Sequence, residues 1–82
     1  MAKVVLQAQV ANDFTNGETE IEVDAHNVRA LLWALEAAYP GLGDRLSDKT
    51  AVAIDGEIFQ EPLLEPIQPT SEVYFLPMIE GG

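Results

Sequence analysis

Apolar side chains alternate along the start of this chain, recur at helical spacing in its middle, and alternate again toward its end. Residues 3–10 (KVVLQAQV) put Val4, Leu6, Ala8 and Val10 on one side, which predicts a strand. Residues 11–17 hold Asn12, Asp13, Asn16 and Gly17, side chains that favour turns. Residues 18–24 (ETEIEVD) alternate again, with Ile21 and Val23 inward and Glu20 and Glu22 outward, so the two runs suit a hairpin. The period then lengthens. Val28, Leu31, Leu32, Leu35 and Tyr39 form the apolar stripe of a helix, with Asn27 as its N-cap and Pro40-Gly41 as its stop. Residues 41–49 read as a loop, with room for a short turn in which Leu42 and Leu46 reach the core. Residues 50–55 (TAVAID) predict a third strand, and Asp55-Gly56 a tight turn into residues 57–60. Pro62, Pro66 and Pro69 make residues 61–70 irregular, pinned down by Leu63, Leu64 and Ile67. Residues 72–78 predict the last strand.

The order is therefore strand, strand, helix, strand, strand. One helix covers only one face of a sheet. The expected class is α+β, a mixed sheet of four to five strands in ββαββ order with one main helix across one face. The first and last strands would lie side by side in its centre. This is the β-grasp arrangement of ubiquitin-like proteins, spanning residues 1–78 and leaving 79–82 as a tail. In the last strand Val73 and Phe75 would face the helix, which turns Tyr74, Leu76 and Met78 to the opposite face. Three large apolar side chains on an open face point to a docking partner, unless loops fold over them.

Composition narrows the chemistry. At 82 residues and 48% apolar, the chain makes one domain with a small core. It contains no cysteine, which removes disulfides, thiolate metal sites and a thiol nucleophile. Fourteen acidic residues against four basic ones give a net charge of −10, which disfavours nucleic acid and anionic membranes as partners. The acids are spread along the chain, as a solubilising shell or as a means of steering toward a basic partner. The start lacks a signal-peptide layout and no apolar run reaches the roughly 20 residues of a membrane span, so a cytoplasmic protein is expected. His26 is the single histidine and has no companions at metal-ligand spacing. Glu18, Glu20 and Glu22 share one solvent face of a strand. Trp33 lies about 100° around the helix from Leu32 and is expected to flank the core, an exposed contact being the alternative. Arg29, one turn earlier, could stack on it or be solvated.

The last three residues are Glu80-Gly81-Gly82. Two glycines make a thin tether that can thread a narrow channel and lie against another backbone. A terminal carboxylate is ionised at neutral pH and is a poor electrophile. The four basic residues (Lys3, Arg29, Arg45 and Lys49) do not cluster near it in sequence, and Gly41-x-Gly43 is too short for a phosphate-cradling loop.

Several stretches resemble the MoaD/ThiS sulfur carriers, which include the small subunit of molybdopterin synthase and the thiamine-pathway carrier. They are residues 39–46 (YPGLGDRL) after the helix, 53–57 (AIDGE) at the second hairpin, and 71–82 (SEVYFLPMIEGG). The last is the specific part. Leu76-Pro77-Met78 replaces the Phe-Pro-Pro common in molybdopterin-type carriers, and Glu80 stands where a small residue is common. The resemblance implies that an E1-like adenylyltransferase (MoeB/ThiF type) uses ATP and Mg²⁺ to convert the Gly82 carboxylate to an acyl-adenylate. A sulfur donor then makes a thiocarboxylate, and a sulfur-accepting synthase or large subunit takes the sulfur. On this reading Ile79, Glu80 and Gly81 form the tail, Tyr74, Leu76 and Met78 dock the partner, and the chain binds no cofactor or metal of its own. A protein modifier attached through Gly82 to lysines, or a non-covalent β-grasp interaction domain, would share the same core.

Overall fold

The last strand is paired along both of its edges. The computed structural model describes residues 1–47 and 50–77. In chain order the elements are β1 (Ala2–Val5), α1 (Ala8–Phe14), β2 (Glu20–Val23), α2 (Val28–Ala38), α3 (Leu42–Ser47), β3 (Thr50–Ile54), β4 (Glu57–Phe59) and β5 (Glu72–Pro77). The five strands form one sheet in the order β2-β1-β5-β3-β4. β5 runs parallel to β1, with Val4 opposite Val73, and antiparallel to β3, with Val52 opposite Phe75. The first and last strands thus meet in the centre, and the sheet is a β-grasp.

Period-two burial on β5 fixes its two faces. Val73 and Phe75 are almost fully buried against the helical layer, with Val4, Val28, Leu31 and Leu35. Asn27 caps α2 as expected, its Oδ1 accepting from the Ala30 N–H at 2.8 Å. The proline-rich segment completes that cap. Its Glu65 carbonyl accepts from the Val28 N–H at 3.2 Å and its Leu63 carbonyl from the Arg29 N–H at 2.9 Å. All three N–H groups that open α2 are therefore satisfied from outside the helix. Asp55 and Gly56 both have positive φ, 50° and 90°, the backbone of a type I′ turn whose twist suits a two-residue hairpin.

Three expectations are corrected. The first strand stops at Val5 instead of Val10, and residues 8–14 coil into α1. Val10, Ala11 and Phe14 fit helical spacing as well as Val4, Leu6, Ala8 and Val10 fit alternation. Burial decides it, because α1 hides Val10 and Ala11 and lays Phe14 over Gly41. A Cβ at Gly41 would come within 3.1 Å of the Phe14 ring, and Gly41 also has φ +94°. The segment after α2 is a helix, α3, and its Leu42 and Leu46 do reach the core. The Glu36 carboxylate fastens it by accepting from the Gly41 and Gly43 N–H groups at 2.7 and 3.0 Å. In residues 61–70 only Ile67 anchors as expected. Leu63 and Leu64 are exposed. Asp48 and Lys49 of the expected loop lie outside the described residues, as does Met78 of the expected last strand.

Replacing Asn27 by Ala is expected to cost about 1 kcal/mol of stability, because it uncovers the Ala30 N–H. Urea unfolding of the two proteins, with an unchanged m-value, checks it.

Candidate functional site

The register carries one row of side chains straight across the open face of the sheet. Val5 lies opposite Tyr74, Tyr74 opposite Ala53, and Ala53 opposite Ile58. Cross-strand partners share a face, so these four form an apolar strip over four strands. Tyr74 is 38% and Ile58 63% exposed, while the small Ala53 is covered between them. Leu76, half-buried opposite Ala51, extends the strip along β5. Among the described residues no helix or loop covers Tyr74 and Ile58, so the sheet retains the open face that the alternation of β5 required.

Acids edge this strip. Glu20 continues the row on β2, and Glu22 and Glu72 lie on either side of Lys3 in the next row, all three exposed. Lys3 approaches Glu20 at 3.7 Å. The Tyr74 hydroxyl donates to Glu72 Oε1 at 3.3 Å, which turns the phenol toward the acidic rim.

The start of β5 is clamped. Asp55 accepts from the Ser71 hydroxyl and from the Glu72 N–H, each at 2.9 Å, and its own N–H donates to the Glu72 carbonyl at 2.9 Å. The Ser71 carbonyl accepts from the Lys3 N–H at 3.0 Å, and its hydroxyl accepts from the Gln68 N–H at 3.0 Å. Asp55 thus shapes the hairpin turn and fixes where β5 begins. Among the described residues the strand ends at Pro77 opposite Thr50.

The expected site residues divide as follows. Tyr74 and Leu76 lie on the open face, Tyr74 exposed and Leu76 half-buried. Met78, Ile79, Glu80, Gly81 and Gly82 lie outside the described residues. Val5 and Ile58 were not singled out from the sequence, yet they complete the row. Alternation on β1 carries the signal for Val5, since Val4 faces inward. Ile58 needs the pairing register as well. Glu18, Glu20 and Glu22 are exposed as expected, and so is His26. Trp33 is corrected: it is 65% exposed and does not flank the core. The helix turns it off the apolar stripe, and Arg29 stacks on it with its guanidinium carbon 4.9 Å from the ring centroid. Among the described residues no helix is long and apolar enough to cross a membrane.

A central strand flanked by the first and third strands, with an open apolar face and one main helix behind it, defines a small ubiquitin-fold protein. More narrowly, the chain belongs to the ThiS family, whose model matches residues 6–82. Among solved structures it is similar to CysO of Mycobacterium tuberculosis, at 21% identity and a TM-score of 0.85 over 96% of this chain and 100% of that one. It is also similar to the Amycolatopsis orientalis BexX/CysO complex, at 21% identity and a TM-score of 0.83 over 100% of both chains. The small archaeal modifier SAMP1 of Haloferax volcanii matches at 26% identity and a TM-score of 0.70, over 99% of this chain and 98% of that one. No curated protein matches the sequence.

The two faces of the sheet, sampled on β5 and on β4, should differ in how far they tolerate substitution. Phe75→Ala is expected to cost ~3–5 kcal/mol, as for other buried aromatics. Ile58→Ser, on the open face, should stay within about 0.5 kcal/mol of the parent protein. Urea titrations of both variants measure the contrast.

Proposed function

We propose that this protein is a sulfur carrier that works through the Gly82 carboxylate. A carboxylate oxygen attacks the α-phosphorus of ATP in the active site of an E1-like adenylyltransferase of the MoeB/ThiF type, and pyrophosphate leaves. Sulfide-level sulfur from a donor then attacks the acyl carbon and displaces AMP, which leaves a thiocarboxylate that a synthase or large subunit consumes. The carrier is a substrate of these enzymes, and its own residues supply binding and presentation. Magnesium and ATP belong to the partner.

The observation that carries this reading is the ThiS-family match over residues 6–82, which includes the diglycine. The strip of Val5, Tyr74 and Ile58 supports it, because an open apolar face on the strand that precedes residues 78–82 offers a partner a surface next to the reacting end. That one structural relative is a CysO in complex with BexX fits a carrier that docks on other proteins. The acidic edge of the strip would meet basic residues on the partner and speed encounter.

A second reading follows from the likeness to SAMP1, a small archaeal modifier protein. There the activated Gly82 acyl group would pass to a lysine amine and form an isopeptide bond. Peptides from cell lysates that carry a remnant of this tail on lysine would favour it. A passive interaction domain is the third reading, and it alone tolerates deletion of Gly81 and Gly82.

Incubation with a cognate adenylyltransferase, ATP, Mg²⁺ and a sulfur source should add to the intact protein the mass difference of one oxygen-to-sulfur exchange. Intact-protein mass spectrometry reads it, and no gain with an enzyme that demonstrably forms the acyl-adenylate would count against sulfur transfer. Leu76→Asp and Tyr74→Asp are expected to leave the fold standing and to weaken docking on that enzyme by at least ~1 kcal/mol each. The association rate should fall as salt rises from low to physiological ionic strength, as stopped-flow mixing would record.

A further inference from the structure

A second surface lies on the helical side of the molecule, away from the open face of the sheet. A groove of about 710 Å³ runs between α2, α3, β3 and the segment after β4, floored by Leu32, Leu46, Val52 and Phe75. Its rim carries Leu63 and Leu64, 50% and 78% exposed. These leucines are not on a loose loop. The Leu63 carbonyl accepts from the Arg29 N–H, and the Glu65 N–H donates to the Pro62 carbonyl at 2.8 Å. The backbone therefore holds two leucines at the rim, although the same segment buries Ile67. Leu63 also borders a smaller hollow of about 250 Å³ with Trp33, Glu36 and Asp44. Trp33, Leu63 and Leu64 thus make one apolar margin along the groove.

Charge selects the occupant. Among the described residues lining the groove and the hollow, the charged ones are Glu36, Asp44 and Glu61 against Arg29. Arg29 stacks on Trp33 and keeps its charge there, and Glu36 is bound to the α3 backbone, so the acids remain in excess around the groove. A second copy would bring another net charge of −10 to this margin. The chain's own residues 78–82 would bring Glu80. Both are opposed by Glu61 and Asp44. We propose that this groove is a second docking site, and that it takes an amphipathic helical segment of a partner protein with leucine-sized anchors flanked by lysine or arginine. Two anchors would sit over Leu46 and Val52 between Leu63 and Leu64, with the flanking cations toward Glu61 and Asp44. This is helix-in-groove recognition on an acidic frame. It extends beyond the carrier reading and does not depend on Gly82. With the sheet face free, one partner could be held here while another works on the opposite layer.

The test uses the full isotope-labelled chain and two short synthetic amphipathic helices, one built from leucine and lysine, the other with glutamate in place of lysine. The lysine peptide is expected to shift the amide resonances of Leu32, Leu46, Leu63 and Leu64, and the glutamate peptide to leave them in place. Leu64→Ser should raise the Kd for the lysine peptide roughly tenfold, while Tyr74→Ser should leave it within about twofold. Because Leu64 is so exposed, its variant should unfold at the parent's urea midpoint. Equal binding of both peptides, or shifts confined to Val5, Tyr74 and Ile58, would overturn the proposal. So would self-association through Leu63 in sedimentation without peptide, or movement of the groove resonances on deletion of residues 78–82.

Discussion

Everything in this molecule hangs on the pairing of β1 with β5. It joins residues 3–5 to residues 72–74, nearly the full length of the described chain apart. Closing so long a loop is entropically unfavourable, and the reward comes only when Val4, Val73 and Phe75 are buried together under α2. Once that has happened β5 has a strand on each side and a helix behind it. Only one of its faces is left to meet another molecule. The open apolar strip is thus a by-product of the core, since each inward Val or Phe on β5 forces the next residue outward.

The same logic explains what could be read from the sequence. Alternation in residues 18–24 and 50–55, the stripe from Val28 to Leu35, the Asn27 cap and the Asp55-Gly56 turn each carry a local signal, and each gave the right element. The β-grasp followed because one helix must choose one face. What failed were the places where local signals tie or fall silent. Val10 belongs equally to an alternating run and to a helical one, and only contact with the rest of the core separates them. Leu63 and Leu64 look like anchors by composition, but backbone hydrogen bonds to α2 hold their segment. Their side chains are free to face solvent. The row of Val5, Tyr74, Ala53 and Ile58 depends on the register of four strands, which no single segment encodes.

Electrostatics divides the surface into frames rather than patches. Three basic residues among the described ones are engaged close at hand: Lys3 with Glu20, Arg45 with Asp13 at 3.2 Å, and Arg29 on Trp33. At the surface such ion pairs contribute little to stability. Lys3 stands among Glu20, Glu22 and Glu72, and Arg29 near Glu36, Asp44 and Glu61, so acids outnumber the cation at the sheet strip and at the groove alike. On the two proposals above, both apolar surfaces would favour cationic partners over a second copy of this acidic chain.

The central parallel pairing also has a mechanical side. β1 and β5 point the same way, so a pull on the end of β5 against the start of β1 runs along both strands. The hydrogen bonds between them are then loaded together in shear instead of being opened one after another, and β3 resists the same displacement from the other flank. The Asp55–Ser71–Glu72 clamp anchors the strand at its far end. An enzyme that draws the residues beyond Pro77 into a tight channel would be pulling on a strand paired on both sides, and that pairing would spread the traction across the sheet.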